Sequence, residues 1–213
     1  MAKFPEPPAP DRLARIPPER IVLEQDTLLW RVYFRGGPFP GVWNALRDFG
    51  PTTARLDHHL MDTEGRSHRQ TRRILYAALD GVTCLAEVFQ RTRLIDRHAR
   101  DPWLVGFALA CPLELLDLCG VWPTRAGASM ALNTGPRAWA RRWSQAIHAA
   151  YPGRHGLCYP SSMHANRPAM ALYERAEAAG ALPIRPMFHR ALADPALFTL
   201  LRNTAIDLGY RLA

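Results

Sequence analysis

Cysteine is sparse and unpatterned in this chain: Cys84, Cys111, Cys119 and Cys158 form no CxxC pair and no close Cys/His quartet. Neither a zinc site nor a disulfide framework is indicated, so no metal is expected and a reducing compartment is the simpler setting. Long apolar runs are lacking as well. The longest uncharged, mostly apolar stretch, residues 103–113, falls far short of the roughly 20 residues that a membrane span needs. The N-terminus, MAKFPEPPAPDRLARIPPER, lacks the apolar core of a signal peptide and is broken by Pro5, Pro7, Pro8, Pro10, Pro17 and Pro18. These absences lead to the expectation of a cytoplasmic, soluble protein. No GxGxxG follows a strand pattern and no GxxxxGK[ST] occurs, so both glycine-rich phosphate cradles are missing. A nucleotide, if bound, must be held by side chains.

What is present is enough for one well-filled domain: 213 residues, 48% of them hydrophobic. Lys and Arg outnumber Asp and Glu by 27 to 19, giving a formal charge of +8. That surplus favours an anionic partner, and equally suits a basic surface kept soluble by its own charge.

Residues 1–25 read as a Pro-rich extended arm, because proline removes a backbone donor and fixes φ; the arm is either a surface wrap or a loose tail. Residues 26–213 read as a single domain. The pattern predicts a strand over residues 28–34 (LLWRVYF), with Arg31 in its middle and Gly36-Gly37-Pro38 closing it. Residues 35–73 are rich in turn formers and charge and read as loop-dominated, with a short strand around 54–56. A strand over 73–79 stops at Asp80-Gly81, and Asp80 is placed to cap a helix in which Val82, Leu85, Ala86 and Phe89 recur at helical spacing. Glu87 lies off that stripe, on a narrow polar side with Thr83, Gln90 and Arg91 that faces solvent or a pocket. Further strands are expected over 104–110, 113–118, 156–160 and 169–173. PRAWARRWSQAIHAAYPG predicts a surface helix packed by Trp139, Trp143 and Ile147, with Arg137, Arg141 and Gln145 opposite. Near the C-terminus Asp194 and Pro195 open a helix whose face is Leu197, Leu200, Leu201 and Thr204. Helices and strands mix without βαβ alternation, so the expected class is α+β.

Four polar features stand out, and each has a plain explanation taken singly. Arg31 fits the exposed face of an edge strand, and Arg55 in ARLD fits an ordinary loop charge. Glu87 fits an i,i+4 pair with Arg91, worth a few tenths of a kcal/mol. Ser161 and Ser162 fit a turn closed by their own hydroxyls.

Their order carries more. The blocks LWRVYF, ARLDHH, RILYAALDGVTCLAEVF and GLCYPSSMHANRPAMALYERA, spanning residues 28 to about 175, resemble the RES family, which is named for a characteristic Arg, Glu and Ser and includes toxins of bacterial toxin–antitoxin pairs. The resemblance implies an ADP-ribosyltransferase-like fold, a mixed or antiparallel sheet core with flanking helices. It carries the family's Arg onto Arg31, its second, pocket Arg onto Arg55, its Tyr onto Tyr76, its Glu onto Glu87 and its Ser onto Ser161, with Ser162 as the register alternative. One departure stands out. Many members have Arg-Phe-Asp or Arg-Trp-Asn where this chain has Arg55-Leu56-Asp57, so an aromatic contact is lacking.

By the same resemblance, the substrate is NAD+ and the reaction is phosphorolysis by inorganic phosphate to ADP-ribose 1″-phosphate and nicotinamide. An Xre-type helix-turn-helix antitoxin that plugs the active site is the implied partner, and a homo-oligomer is compatible with the chain. The residues suit the chemistry. Nicotinamide leaves as a neutral molecule and the ribose becomes an oxocarbenium-like cation, so one anion such as Glu87 is enough and no strong acid is needed. Arg31 and Arg55 offer planar forks for phosphate oxygens, Tyr76 an aromatic face or hydroxyl, and Ser161 a hydroxyl donor to ribose or pyrophosphate. Ser161 lacks the GxSxG strand-turn-helix setting of a serine nucleophile. A protein mono-ADP-ribosyltransferase would share the pocket and differ in its acceptor. A non-catalytic nucleic-acid-binding module would use the charge and the Arg/Trp helix, although the tryptophans fall on one stripe and read as core.

Overall fold

The two central hydrophobic strand patterns, around Arg31 and around Tyr76, become neighbours in one sheet. The computed structural model describes residues 4–213. Its strands are β1 (Arg20–Leu23), β2 (Leu28–Phe34), β3 (Arg47–Gly50), β4 (His68–Ala78), β5 (Leu94–Ile95), β6 (Pro102–Ala108), β7 (Leu113–Asp117), β8 (Gly156–Pro160), β9 (Pro168–Tyr173), β10 (Phe188–Ala191) and β11 (Arg211–Leu212). The helices are α1 (Pro10–Leu13), α2 (Gly81–Phe89), α3 (Trp122–Arg125), α4 (Ala131–Thr134), α5 (Arg137–Ala150), α6 (Glu174–Ala178) and α7 (Phe198–Leu208). Nine strands form one sheet in the order β1-β7-β8-β9-β4-β2-β6-β10, with β3 pairing β4 off that path. Every pairing in it is antiparallel except β7 with β8, so the fold is the expected mixed α+β arrangement.

Two features of this sheet make the site. First, β4 is long enough to serve two partners: its N-terminal part pairs β3 (Gly50 with His68) and its C-terminal part pairs β9 (residues 74–78 against 173–169). Second, β2 and β4 share the single ladder pair Trp30–Ala78. Beyond it the sheet splits, and the unpaired backbone borders a cleft.

Both faces of the sheet are covered, because successive side chains of a strand point to opposite sides and here both sides are apolar. On one face Val32, Ile74, Leu157 and Ala171 pack with Leu85 and Phe89 of α2 and with Trp139, Trp143 and Ile147 of α5. On the other, Leu29, Tyr33, Leu75 and Leu172 pack with Trp43 and Leu46. The tryptophans of α5 are therefore core, 2% and 0% exposed. Among the described residues, no helix is long and apolar enough to cross a membrane.

Two expectations change, and one alternative is decided. Residues 54–56 turn instead of forming a strand, because the chain must reverse to bury Leu56, Asp57, His58 and His59, all 0–1% exposed. The nearby strand is β3, whose charged RDFG sequence gave no apolar signal. Leu200 is 49% exposed: the segment opens as a 3-10 turn, Pro195–Leu197, which shifts the helical register so that Leu201, Thr204 and Ala205 face inward. The Pro-rich arm is a wrap. β1 edges the sheet on β7, Leu13 is fully buried, and Trp139 and Trp143 both donate their indole N–H to Pro5 O, at 2.6 and 3.0 Å. Residues 1–3 of the arm lie outside the described residues.

Candidate active site

Asp80 ends β4 and starts α2: its Oδ1 accepts from Thr83 N at 2.7 Å and its Oδ2 from Thr83 Oγ1 at 2.8 Å. This cap satisfies backbone donors that a helix start leaves free and sets the direction of the helix. Thr83 Oγ1 also meets His164 Nδ1 at 2.8 Å, tying α2 to the loop after β8. About one turn beyond Thr83, Glu87 faces that same loop. Its Oε1 accepts from Ser161 Oγ at 2.5 Å, and its Oε2 lies 3.3 Å from Gln90 Nε2. It makes no ion pair with Arg91 or any other cation among the described residues. Ser161 is fully buried, its Oγ also accepting from Met163 N at 3.2 Å, whereas Ser162 is exposed and lines the cavity.

Two depressions adjoin at Glu87, sharing Tyr76, Glu87, Val88 and Tyr159 in their walls. The first, about 190 Å³, adds Arg55, Asn133 and Arg137. The second, about 220 Å³, adds Arg31, Arg47 and Cys84 and occupies the split between β2 and β4. Arg31 shares its face of β2 with Leu29 and Tyr33, opposite to that of Val32, so it borders the cavity because the sheet opens beside it. Its Nη1 donates to Trp43 O at 2.6 Å and to Ala45 O at 3.1 Å. Burial pushes the guanidinium down to about 10, which leaves it charged at neutral pH. Tyr76 and Tyr159 have phenols raised well above their ordinary value, first by burial, and so are donors rather than phenolates. The Tyr76 hydroxyl has no hydrogen-bond partner.

Arg55 sits on a loop braced from below. Asp57 Oδ2 accepts from Arg47 Nη2 at 2.9 Å and Thr52 N at 2.6 Å, and Oδ1 meets His59 Nδ1 at 2.5 Å. Burial works to raise the Asp57 carboxyl, yet His59, the charge of Arg47 and the donors of Thr52 hold it well below the usual carboxylate range. Next to it His58 Nε2 and His148 Nε2 meet Glu174 at 3.3 and 2.7 Å. These three residues hold atoms of metal-ligand type close together. The His58 and His148 rings stack at 4.3 Å and 22°, and both Nε2 atoms are engaged by the Glu174 carboxylate.

The structure thus brings Arg31, Arg55, Tyr76 and Glu87 around one pair of adjoining depressions, with Ser161 behind Glu87. Leu56, standing where an aromatic was expected, is 1% exposed and packs in the core while also lining the first cavity, where it offers an aliphatic side chain in place of a ring. Sequence reasoning missed Arg47, Asn133, Arg137 and Tyr159. For Arg137 a signal existed: it is the first residue of α5, where a cation opposes the helix dipole and is unfavourable without another use.

The chain has no significant match among curated protein sequences. In fold it is similar to a chain of the crystal structure of the M. tuberculosis MbcT–MbcA toxin–antitoxin complex, with a TM-score of 0.53 at 14% identity, over 85% of this chain and 92% of that one. The RES domain family matches residues 28–194, which include all five residues carried over from the motifs. With most of its length inside that match, the chain belongs to the RES domain family.

Proposed function

We propose that this protein is an enzyme that cleaves the nicotinamide–ribose bond of NAD+ with inorganic phosphate as the acceptor. The observation that carries this reading is Glu87: one carboxylate without a cationic partner, held by a buried serine at the wall common to two cavities that arginines flank. In the reaction the C1″–N bond breaks with its electron pair going to nicotinamide, and a phosphate oxygen forms the new bond to C1″. The transient positive charge on the ribose is what Glu87 stabilises. Ser161 keeps one carboxylate oxygen fixed, so the other is presented to the ribose without reorganisation. Tyr76 supplies a hydroxyl and a ring face beside the bond that breaks. Arg31, whose Nη1 is held by Trp43 O and Ala45 O, presents the remaining edge of its guanidinium to a phosphate oxygen, and Arg55 does so from the neighbouring cavity.

An enzyme of this kind depletes the cell's NAD+ and needs restraint. The family and a fold neighbour from a toxin–antitoxin complex support a toxin role with an antitoxin as partner, and the family resemblance makes that antitoxin one of Xre type. A nucleic-acid module fits the structure less well, because burial of Trp139 and Trp143 removes the rings on which bases would stack.

The test is nicotinamide release from NAD+ by the purified protein, with and without phosphate, beside Glu87→Ala. Release should require phosphate, yield a free phosphate ester, and fall by on the order of 10²-fold or more in the variant. Labelled ADP-ribose appearing on protein would identify a transferase instead. Unchanged turnover in Glu87→Ala would remove the carboxylate from the mechanism.

A further inference from the structure

Several arginines elsewhere in this chain sit on carboxylates, among them Arg47 on Asp57, Arg73 on Glu177, Arg125 on Glu19 and Arg142 on Glu6. The two in the first cavity do not. Arg55 Nη1 donates to Gly135 O, and Arg137 donates to Gln90 Oε1 at 2.7 Å and to Thr53 O at 3.3 Å. All of these acceptors are neutral, and among the described residues neither guanidinium has an acid within ion-pair distance. They are also close enough to oppose each other: burial first, then the charge of Arg137, lowers the Arg55 guanidinium, and Glu87 offsets this only in part. Two like charges left facing one cavity are unfavourable until an anion lies between them.

A second, independent observation concerns Asn133 on α4, which lines the same cavity. It is 3% exposed, and neither its Oδ1 nor its Nδ2 has a hydrogen-bond partner. A buried amide left without partners costs on the order of 1–3 kcal/mol for each group, and native proteins rarely leave one so. Donor and acceptor together, beside two cations, match a hydroxylated, anionic ligand.

We propose that Arg137 is a substrate-binding residue that closes with Arg55 on the diphosphate of the dinucleotide, while Asn133 takes an adjoining ribose hydroxyl. The nicotinamide ribose then lies over Glu87, at the wall the two cavities share, and the second cavity is left for nicotinamide and the attacking phosphate. The identity of the dinucleotide rests on the reading above; the diphosphate subsite rests on Arg55, Arg137 and Asn133.

The experiment is calorimetric titration of the full chain with ADP-ribose and, as the uncharged control, adenosine, alongside NAD+ kinetics. ADP-ribose should bind with an affinity that falls as salt is raised, and adenosine should bind far more weakly. Arg137→Ala should weaken ADP-ribose binding by about tenfold or more and raise KM for NAD+ more than it lowers kcat, with melting temperature unchanged. Arg137→Lys should recover part of the affinity, because charge persists while the fork is lost. Asn133→Ala should weaken ADP-ribose binding and leave binding of inorganic pyrophosphate unaltered. ADP-ribose binding by Arg137→Ala equal to that of the unaltered protein would overturn the proposal, as would a loss that merely follows a lowered melting temperature. Arg137-dependent ADP-ribose binding without nicotinamide release would keep the subsite and reject the NAD+ chemistry. An unchanged KM in Arg137→Ala with normal turnover would do the reverse.

Discussion

Ser161 and Glu87 are 74 positions apart in the chain and meet through one hydrogen bond of 2.5 Å. A hydrogen bond to a charged group is worth about 1.5–3 kcal/mol, of the size that fixes a carboxylate in one orientation. On the proposed mechanism the serine acts through Glu87, as a positioning residue. Ser161→Ala should lower kcat by roughly tenfold while changing KM little, since the ligand-facing groups stay in place. Steady-state kinetics would show it, and a rise in KM at constant kcat would instead mean that Ser161 binds substrate directly. At the same scale Asn133 and Tyr76 share a property: buried polar atoms that the protein itself leaves without partners.

At the scale of elements, the site depends on how closely β8 runs beside β9. Gly156 pairs with Leu172, and a Cβ added there would lie 2.4 Å from Ala171 O and 3.0 Å from Leu172 Cα. Both are backbone atoms that cannot step aside. Gly156→Ala should therefore push the two strands apart, cost about 1–3 kcal/mol or more, and displace Tyr159 and Ser161 on the same strand and its exit. A urea unfolding midpoint equal to that of the unaltered protein would show that the strands yield without cost. The capped start of α2 and the turn at residues 161–167 face each other across this strand pair, joined through Thr83 and His164. Helix and loop are therefore oriented together, which is how Glu87 comes to face a cavity.

For the molecule as a whole, the cavity loop is anchored by a buried polar cluster with one direction of pH response. Burial pushes His58 down to about 4, and His148 is lowered as well, against an unfolded histidine near 6.5. Between those values the unfolded chain binds the extra protons, so stability is present above about pH 6.5 and is lost as pH falls toward 4. Asp57 and Glu174 act in the same sense lower down: burial opposes their charge, but His59 and Arg47 for one, His148 and His58 for the other, hold both below the usual carboxylate range. The positive surplus of the whole chain grows as pH falls and adds to the trend. Melting temperature should be nearly level above pH 7, decline below about pH 6.5 and drop more steeply below about pH 4. A profile flat down to pH 5 would show that His58 and His148 do not titrate as buried neutral groups.

Period and punctuation in the sequence were enough to locate β2, β4, α2, α5, β8 and β9, because alternating or helically spaced apolar residues bounded by Gly, Pro and a capping Asp leave few other local structures. The ordered blocks around Arg31, Arg55, Glu87 and Ser161 were likewise enough to point to the RES family. What the chain alone did not determine are relations between distant residues. β3 carries no apolar pattern, since its pairing with β4 is what makes it a strand. The Pro-rich arm gives no hint that Leu13 is core, since Tyr151 and the tryptophans that receive the arm lie some 130 residues away. Glu87 faces a cavity and not solvent because α2 is tied to the loop after β8. Arg137 becomes more than a surface charge because α4 and α5 fold back over Arg55. Local patterns are set by neighbours in the chain, but pairing, enclosure and the meeting of like charges are set by contacts that exist only once the sheet has formed.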